Sequence, residues 1–115
     1  MMSDNIFQKI IERKIPANIV YEDDRALAFK DINPQAPVHV LIIPKMKVIP
    51  THADVSEADQ DLLGYLHLIA AKLAEQLNIA DGYRVVINCK ERAGQTVPHL
   101  HFHLLGGRDF SWPPG

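Results

Sequence analysis

The sequence predicts a single α+β domain over residues 1–115, with an antiparallel, meander-like sheet of about five strands, one long helix and one short helix. Two observations carry this prediction. Apolar residues recur at helical spacing over 55–79, and apolar or β-branched runs bounded by turn residues occur on both sides of that segment. With 47% hydrophobic and 23% charged residues, the composition is that of an ordinary globular domain. We expect both helices to pack on one face of the sheet.

The N-terminal segment predicts the short helix, within residues 1–15. It begins with the cap-type residues Ser3 and Asp4, and Pro16 closes it. The apolar residues that recur at helical spacing between them are Ile6, Phe7, Ile10 and Ile11.

The strands follow from short apolar runs. Residues 17–32 predict two strands around an acidic turn at Glu22–Asp24, and 33–37 is a loop with a proline at each end. The run "VHVLIIP", 38–44, predicts a buried strand that stops at Pro44, which has no N–H for a ladder.

The second half contains the long helix and two more strands. Ser56 and Asp59 give the start signal of the helix, which then separates strand 38–44 from a strand over 83–90. Because this helix could cross over between strands 38–44 and 83–90, some parallel pairing within the sheet is an alternative. A polar turn at 91–96 leads into the last strand, 97–106, and an irregular tail, 107–115.

Bulk properties exclude several classes of function. The net charge is −2 with no basic stripe, so no nucleic-acid partner is predicted. No apolar run approaches the roughly 20 residues of a membrane span, and no secretory signal begins the chain, so no membrane partner is predicted. Cys89 is the single cysteine, which excludes an intrachain disulfide and favours a reducing, cytoplasmic setting.

The run "HLHFHLL", 99–105, carries the chemistry. In an extended strand His99, His101 and His103 point to one face, and the intervening apolar residues point to the other. Such a row fits a metal site, a catalytic site or an exposed strand. The first and third histidines are about 13 Å apart along a strand, so one ion would need ligands from elsewhere. His39 is a candidate, but no carboxylate or cysteine cluster lies nearby in sequence, and we predict no metal and no cofactor.

The turn before the histidines favours a catalytic interpretation. Gly94 allows backbone amides to approach a ligand, Gln95 adds an amide, and Thr96 adds a hydroxyl. An anion-binding turn followed by imidazoles suits phosphorus chemistry, in which a histidine attacks phosphorus and water resolves the phosphoramidate that forms.

These residues resemble the histidine triad superfamily, whose signature alternates histidines with apolar residues. Segments "IFQKIIERKIPA", "DINPQAPVHVLIIPK", "GYRVVIN", "GQTVPHLHFHLLGGR" and "WPPG" resemble its Hint branch in particular, and the likeness runs from Ile6 to Gly115. The chain departs from the usual pattern at Thr96, where many members carry serine. It departs again in "CKERAG", where Lys90 and Arg92 add positive charge.

The resemblance implies a fold and an activity. It implies a homodimer whose two protomers share one continuous antiparallel sheet, with the tail 107–115 near the partner's active site. It also implies hydrolysis of purine nucleoside 5′-phosphoramidates, such as adenosine 5′-monophosphoramidate, and of aminoacyl-adenylates. His101 matches the nucleophile that forms the nucleotidyl intermediate. His99, His103 and His39 match the residues that support it by hydrogen bonding and proton transfer.

The resemblance also implies a nucleotide pocket. Asp31 matches the carboxylate that holds the ribose hydroxyls. The residues that match the phosphate-contacting set are Asn88, Gly94, Gln95, Thr96 and Val97. The residues that match the apolar pocket around the base are Ile6, Phe7, Ile10, Phe29 and Ile32.

Two other functions remain open. The imidazole row also fits a zinc- or nucleotide-binding regulatory protein without turnover. Within the superfamily, a dinucleoside polyphosphate hydrolase or nucleotidyl transferase is the other alternative, and the terminal "WPPG" argues against it.

Overall fold

A computed structural model describes residues 5–115 and contains two α-helices and five strands. The helices are α1 (Ile6–Ile11) and α2 (Gln60–Gln76). The strands are β1 (Ile19–Glu22), β2 (Ala26–Lys30), β3 (Val38–Pro44), β4 (Tyr83–Val86) and β5 (Phe102–Gly106). Short 3-10 turns cover His52–Asp54, Glu57–Asp59 and Glu91–Ala93. In this part of the chain no helix is long and apolar enough to cross a membrane.

The sheet has the strand order β1-β2-β3-β5-β4, and every neighbouring pair is antiparallel. Helix α2 does cross over between β3 and β4, as the sequence suggested. However, β5 inserts between these two strands, with His103 opposite Leu41 on one side and opposite Val86 on the other. The mixed pairing that the crossover left open therefore does not occur.

The two helices cover opposite faces of the sheet, which corrects the expectation of one shared face. Alternate strand residues explain the arrangement, since Val40 and Ile42 pack toward α2 while Leu41 and Ile43 pack toward α1. The α2 face holds the larger cluster, which includes Leu66, Ile69, Leu73, Leu100, Phe102 and Leu104. The α1 face holds Phe7, Ile10, Leu27, Phe29, Leu41 and Ile43.

Helix α1 is shorter than the predicted 1–15. Its N-cap is Asn5, whose side chain accepts a hydrogen bond from the Gln8 amide, while the predicted caps Ser3 and Asp4 lie outside the described residues. The helix ends because Arg13 adopts a left-handed backbone, with φ at 62°. The Lys14 amide then bonds back to the Lys9 carbonyl, which closes the last turn.

Strands β4 and β5 are also shorter than predicted, at 83–86 and 102–106 rather than 83–90 and 97–106. Prolines explain the loss at β5, because Pro44 at the end of β3 and Pro98 both lack a ladder donor. The chain before β5 turns instead toward the segment after β3, where the Leu100 amide donates to the Ile49 carbonyl at 2.6 Å.

Candidate active site

The three alternating histidines emerge on the α1 face of the sheet. Their neighbours Leu100, Phe102 and Leu104 are buried in the α2 cluster, so the predicted alternation of faces is present. The ring centroids of His101 and His103 are 5.0 Å apart. Phe7 of α1 lies edge-on to His101, at 4.9 Å between centroids. Helix α1 and the segment 99–103, which runs into β5, thus jointly position the imidazoles.

His101 presents a free ring nitrogen. Its Nδ1 lies 2.7 Å from the His99 carbonyl oxygen, and a carbonyl can only accept, so the proton is on Nδ1. The lone pair is therefore on Nε2, which bonds to no group in residues 5–115. Burial lowers the pKa of His101, although the His99 carbonyl and Asp31 act in the opposite direction. This imidazole is neutral at neutral pH, with a nucleophilic lone pair.

His99 is fully buried and held at both ring nitrogens. Its Nε2 lies 3.2 Å from the Pro44 carbonyl oxygen, and its Nδ1 lies 3.1 Å from Nδ2 of Asn5. Because the carbonyl needs a donor, His99 carries its proton on Nε2. Burial lowers its pKa, which the Pro44 carbonyl partly opposes. With both nitrogens occupied, His99 supports the site rather than reacting in it.

His39 and His103 form a second hydrogen-bonded pair. The Gln35 amide donates to Nδ1 of His39 at 3.0 Å, so the His39 proton is on Nε2. That N–H points to Nδ1 of His103, 2.9 Å away. His103 must then carry its own proton on Nε2, which bonds to nothing else in the described chain. The pair thus ends in one free N–H donor.

Both members of this pair are neutral at neutral pH. Burial lowers the pKa of His39, against the opposing charge of Asp31. Burial and the neighbouring histidines lower the pKa of His103 to about 4. The four histidines therefore offer one lone pair, on His101, beside one N–H, on His103.

Asp31 joins the site beside His39. Its Oδ2 lies 3.5 Å from Nε2 of His39, and its Oδ1 accepts from the Asn33 amide. Among the described residues, Asp31, His39 and His103 are the one group whose donor atoms, all within 4.8 Å of one another, could hold a metal ion. The sequence places no carboxylate close to the histidine row. In the fold, Asp31, which directly follows β2, lies beside His39 and offers the carboxylate ligand whose absence supported the prediction of no metal.

Gln95 does not offer the anion donor that was expected of it. Its Nε2 donates to the Pro50 and Val97 carbonyls, its Oε1 accepts from the Lys90 amide, and its own amide donates to the Lys90 carbonyl. Every donor is used, so this buried side chain holds the turn together. Gly94 completes the turn with φ at 92°, a conformation that glycine adopts without steric cost.

Thr96 and Val97 keep their amides available. Neither N–H donates to an acceptor within residues 5–115, and the Thr96 side chain is exposed. Val97 packs against the α1 cluster, which places this end of the turn beside Phe7. Of the predicted phosphate-contacting turn, these two residues offer free backbone donors.

Asn88 opens onto a cavity of about 380 Å³ that also contains His39 and His103. Arg84, Arg108 and Phe110 line the same cavity, and the two guanidinium groups stack on the Phe110 ring at 4.7 and 4.2 Å. Sequence reasoning missed these arginines and named the exposed Lys90 and Arg92 instead. Pro114 and Gly115 of the tail line this cavity within the same protomer, while the tail's place near a partner's site stays a prediction.

The five predicted base-pocket residues separate into two groups. Phe7, Ile10 and Phe29 are buried together in the α1 cluster. Ile6 is 48% exposed and Ile32 is 98% exposed, so neither packs into that cluster. Within one protomer the five residues thus divide into a buried group of three and an exposed pair, and their role around a base stays a prediction.

Comparison with known proteins places the chain among close relatives. The HIT domain family model matches residues 12–110. An uncharacterized HIT-like protein of Synechocystis is 60% identical over the full length of both chains. The 14 kDa zinc-binding protein of Zea mays is 54% identical over 98% of this chain and 89% of its own. The crystal structure of a HIT family hydrolase from Legionella pneumophila superposes with a TM-score of 0.93 at 50% identity, covering 96% of this chain and 98% of that one.

Proposed function

The chain belongs to the HIT domain family, and from that premise we propose that it hydrolyses the P–N bond of purine nucleoside 5′-phosphoramidates. Adenosine 5′-monophosphoramidate is the model substrate, aminoacyl-adenylates are further candidates, and AMP or GMP is the product. One observation carries the proposal: the Nδ1 proton of His101 is held by the His99 carbonyl at 2.7 Å, which leaves the lone pair on Nε2. The HIT family hydrolase of Legionella pneumophila shares this fold, which supports a hydrolytic reaction.

The proposed reaction has two steps. His101 Nε2 attacks the α-phosphorus, the P–N bond breaks, and the nucleotide is left on the imidazole. Water then attacks the same phosphorus, breaks the bond to Nε2 and returns the lone pair to His101. The departing amine takes a proton from a group of the site in the first step. The water consumed in the second step restores that proton and supplies the hydroxyl that the phosphate gains.

The surrounding groups support the charge that develops on phosphorus. The free Nε2–H of His103 and the amides of Thr96 and Val97 are the available donors, and they act in a site where burial strengthens each hydrogen bond. The Thr96 hydroxyl is the group we assign to the leaving-group side. Arg84 and Arg108 line the adjoining cavity and favour an anionic ligand there.

Asp31 and the apolar residues are assigned to the nucleoside. A carboxylate accepts two ribose hydroxyls well, and Asp31 lies at the edge of the histidine cluster. Ile6 and Ile32 are exposed near the ends of the elements that carry Phe7 and Phe29, and an exposed apolar surface suits a flat purine.

The homodimer is part of the proposal. Strand β4 lies at the edge of the sheet, where a second β4 can pair and continue it. The outward side of α2 supports the same interface, because Leu68 is 59% exposed there, between the exposed residues Gly64 and Ala71.

The proposal is tested by incubating tag-free protein with adenosine 5′-monophosphoramidate in excess EDTA. AMP release should persist with chelator and fall at least about a thousandfold in His101→Ala. His52→Ala, which removes an exposed histidine, serves as the matched control and should retain full activity. Mass spectrometry of protein quenched during turnover should find the nucleotide on His101. Activity that survives His101→Ala would refute the mechanism.

A second candidate function, zinc binding without turnover, is favoured by the donor cluster of Asp31, His39 and His103. An ion there would replace the Nε2 proton of His39, and imidazole and carboxylate are ordinary zinc ligands. The 14 kDa zinc-binding protein of Zea mays is 54% identical to this chain, and its name supports this candidate. Stoichiometric zinc in purified protein, lost in His39→Ala and retained in His101→Ala, would support this function over the hydrolytic one.

A further inference from the structure

We propose that Asn5 is a positioning residue, which fixes the neutral Nε2–H form of His99 and thereby keeps positive charge away from His101. The structural part of this inference stands on hydrogen bonds alone. Its catalytic part rests on the proposed function.

The orientation of the Asn5 side chain is forced by its partners. The Gln8 amide, which can only donate, lies 2.7 Å from one end of the carboxamide, so that end is Oδ1. The other end is therefore Nδ2, and it lies 3.1 Å from Nδ1 of His99. An N–H donor facing Nδ1 requires a lone pair on that nitrogen.

The far side of the His99 ring requires the same tautomer. Nε2 lies 3.2 Å from the Pro44 carbonyl oxygen, which accepts and cannot donate. Two independent partners, one from α1 and one from β3, thus agree on a proton at Nε2 and none at Nδ1. A protonated His99 would direct an N–H at the N–H of Asn5, so this contact opposes the imidazolium.

Among residues 5–115, the groups that face His99 include no counterion. Asn5 and Phe7 face it from α1, the Pro44 carbonyl from β3, and His101 from its own segment, and His101 is the one titratable group among them. A positive charge on His99 would therefore be unbalanced, and it would draw electron density from the lone pair on His101.

Asn5 also determines where the first turn of α1 lies. As N-cap it begins the helix, and Phe7, two residues later, contacts the rings of His99 at 5.9 Å and His101 at 4.9 Å. The His99 carbonyl in turn holds Nδ1 of His101. One side chain thus links the start of α1 to the orientation of the nucleophile.

The residue type matters because two functions meet in one side chain. Serine, aspartate and asparagine all cap helices well. Of these, asparagine alone offers an acceptor to the helix and an amide donor to His99 from opposite ends of the same group. Aspartate keeps the helix cap but presents an acceptor, in place of a donor, to Nδ1 of His99. The shorter serine keeps the helix cap and removes the contact with His99.

The test compares Asn5→Asp with Asn5→Ser, two variants that keep a capping residue. We expect melting temperatures close to that of the unmodified protein for both. Ring nitrogen NMR shifts of His99, followed between about pH 5 and about pH 8 without substrate, report its tautomer directly. The unmodified protein should show a proton on Nε2 alone, and Asn5→Asp should show protons on both nitrogens near neutral pH.

Turnover then tests the catalytic part. In Asn5→Asp we expect kcat at neutral pH to fall about tenfold, with the acid limb of its pH profile moved to higher pH. Asn5→Ser should lower kcat about threefold and leave that limb in place. A His99 that carries its proton on Nδ1, or an Asn5→Asp profile that matches the unmodified protein, overturns the inference. Absence of phosphoramidate turnover in the unmodified protein, with the tautomer as stated, would instead refute the proposed function and leave the structural part standing.

Discussion

The Nε2 atom of His39 lies 2.9 Å from Nδ1 of His103, and the Gln35 amide on the far side of His39 determines which of the two nitrogens holds the proton. Because that amide can only donate, the proton between the rings belongs to His39. His103 is then left with an N–H directed to neither His39 nor the backbone. The hydrogen bond from Gln35, in the loop before β3, thus makes His103 a donor in the site. The ring centroids of His103 and His101 are 5.0 Å apart.

The pH dependence of turnover follows from the burial of His101. The reactive form is neutral, and burial lowers the pKa of this group below the ordinary histidine value of about 6.5. Activity should therefore be constant around neutrality and fall as pH falls through a value below about 6.5. The measurement is kcat/KM for AMP release against pH, with His52→Ala as control for an exposed histidine. An acid limb above about 6.5 would contradict the protonation state derived for His101.

Removal of the Gln95 side chain should loosen the turn. Gln95→Ala deletes the three hydrogen bonds that its carboxamide makes to Lys90, Pro50 and Val97. At about 1 kcal/mol for each, the free energy of unfolding should fall by about 2 to 3 kcal/mol in a denaturant titration. Thr96→Ala, at an exposed neighbour, should change stability by less than about 0.5 kcal/mol. Equal stability in the two variants would show that the turn does not depend on Gln95.

Gly106 should tolerate no side chain. A Cβ there would lie 2.7 Å from both Cβ and Cδ1 of Ile79, in the segment that follows α2. Gly106→Ala should therefore lower the free energy of unfolding by about 1 to 3 kcal/mol through overpacking. Gly82→Ala is the matched control, since a Cβ there meets nothing within 4 Å. If thermal unfolding finds both variants equally stable, the close approach of β5 to Ile79 is wrong.

The proposed dimer depends on the outward side of α2. A charge at Leu68, 59% exposed in one protomer, should be costly if a partner covers it. Leu68→Arg should shift the sedimentation coefficient from that of a dimer to that of a monomer. Met46→Arg makes the same change at a position 70% exposed and should leave the dimer intact. A monomeric unmodified protein, or a dimeric Leu68→Arg variant, would contradict this interface.

Sequence reasoning succeeded where a short periodic pattern determined the structure. The bounds of β3 agree with the run that ends at Pro44, and the alternation at 99–104 places histidines on one face and Leu100, Phe102 and Leu104 on the other. Both features are local, because a strand's side-chain period is two and proline lacks a ladder donor.

It failed where the outcome depended on contacts between distant segments. Asp31 lies near His39 because β2 and β3 are paired, and Asn5 reaches His99 across 94 positions of the chain. From the sequence, the Gln95 side chain is expected to donate a hydrogen bond to an anion. In the fold, its Nε2 donates instead to backbone carbonyls, among them that of the distant Pro50. The opposite placement of α1 and α2 was missed for the same reason, since an apolar strand such as β3 is compatible with helices on either face.

Because α2 and the histidine cluster lie on opposite sides of the sheet, thermal robustness and chemistry are separable targets for engineering. Positions such as Ile69 and Leu73 can be varied in a library screened for heat tolerance with the sheet standing between them and the imidazoles. In α1 the two properties cannot be varied separately, because Phe7 is part of the hydrophobic cluster on the α1 face and also contacts the His101 ring.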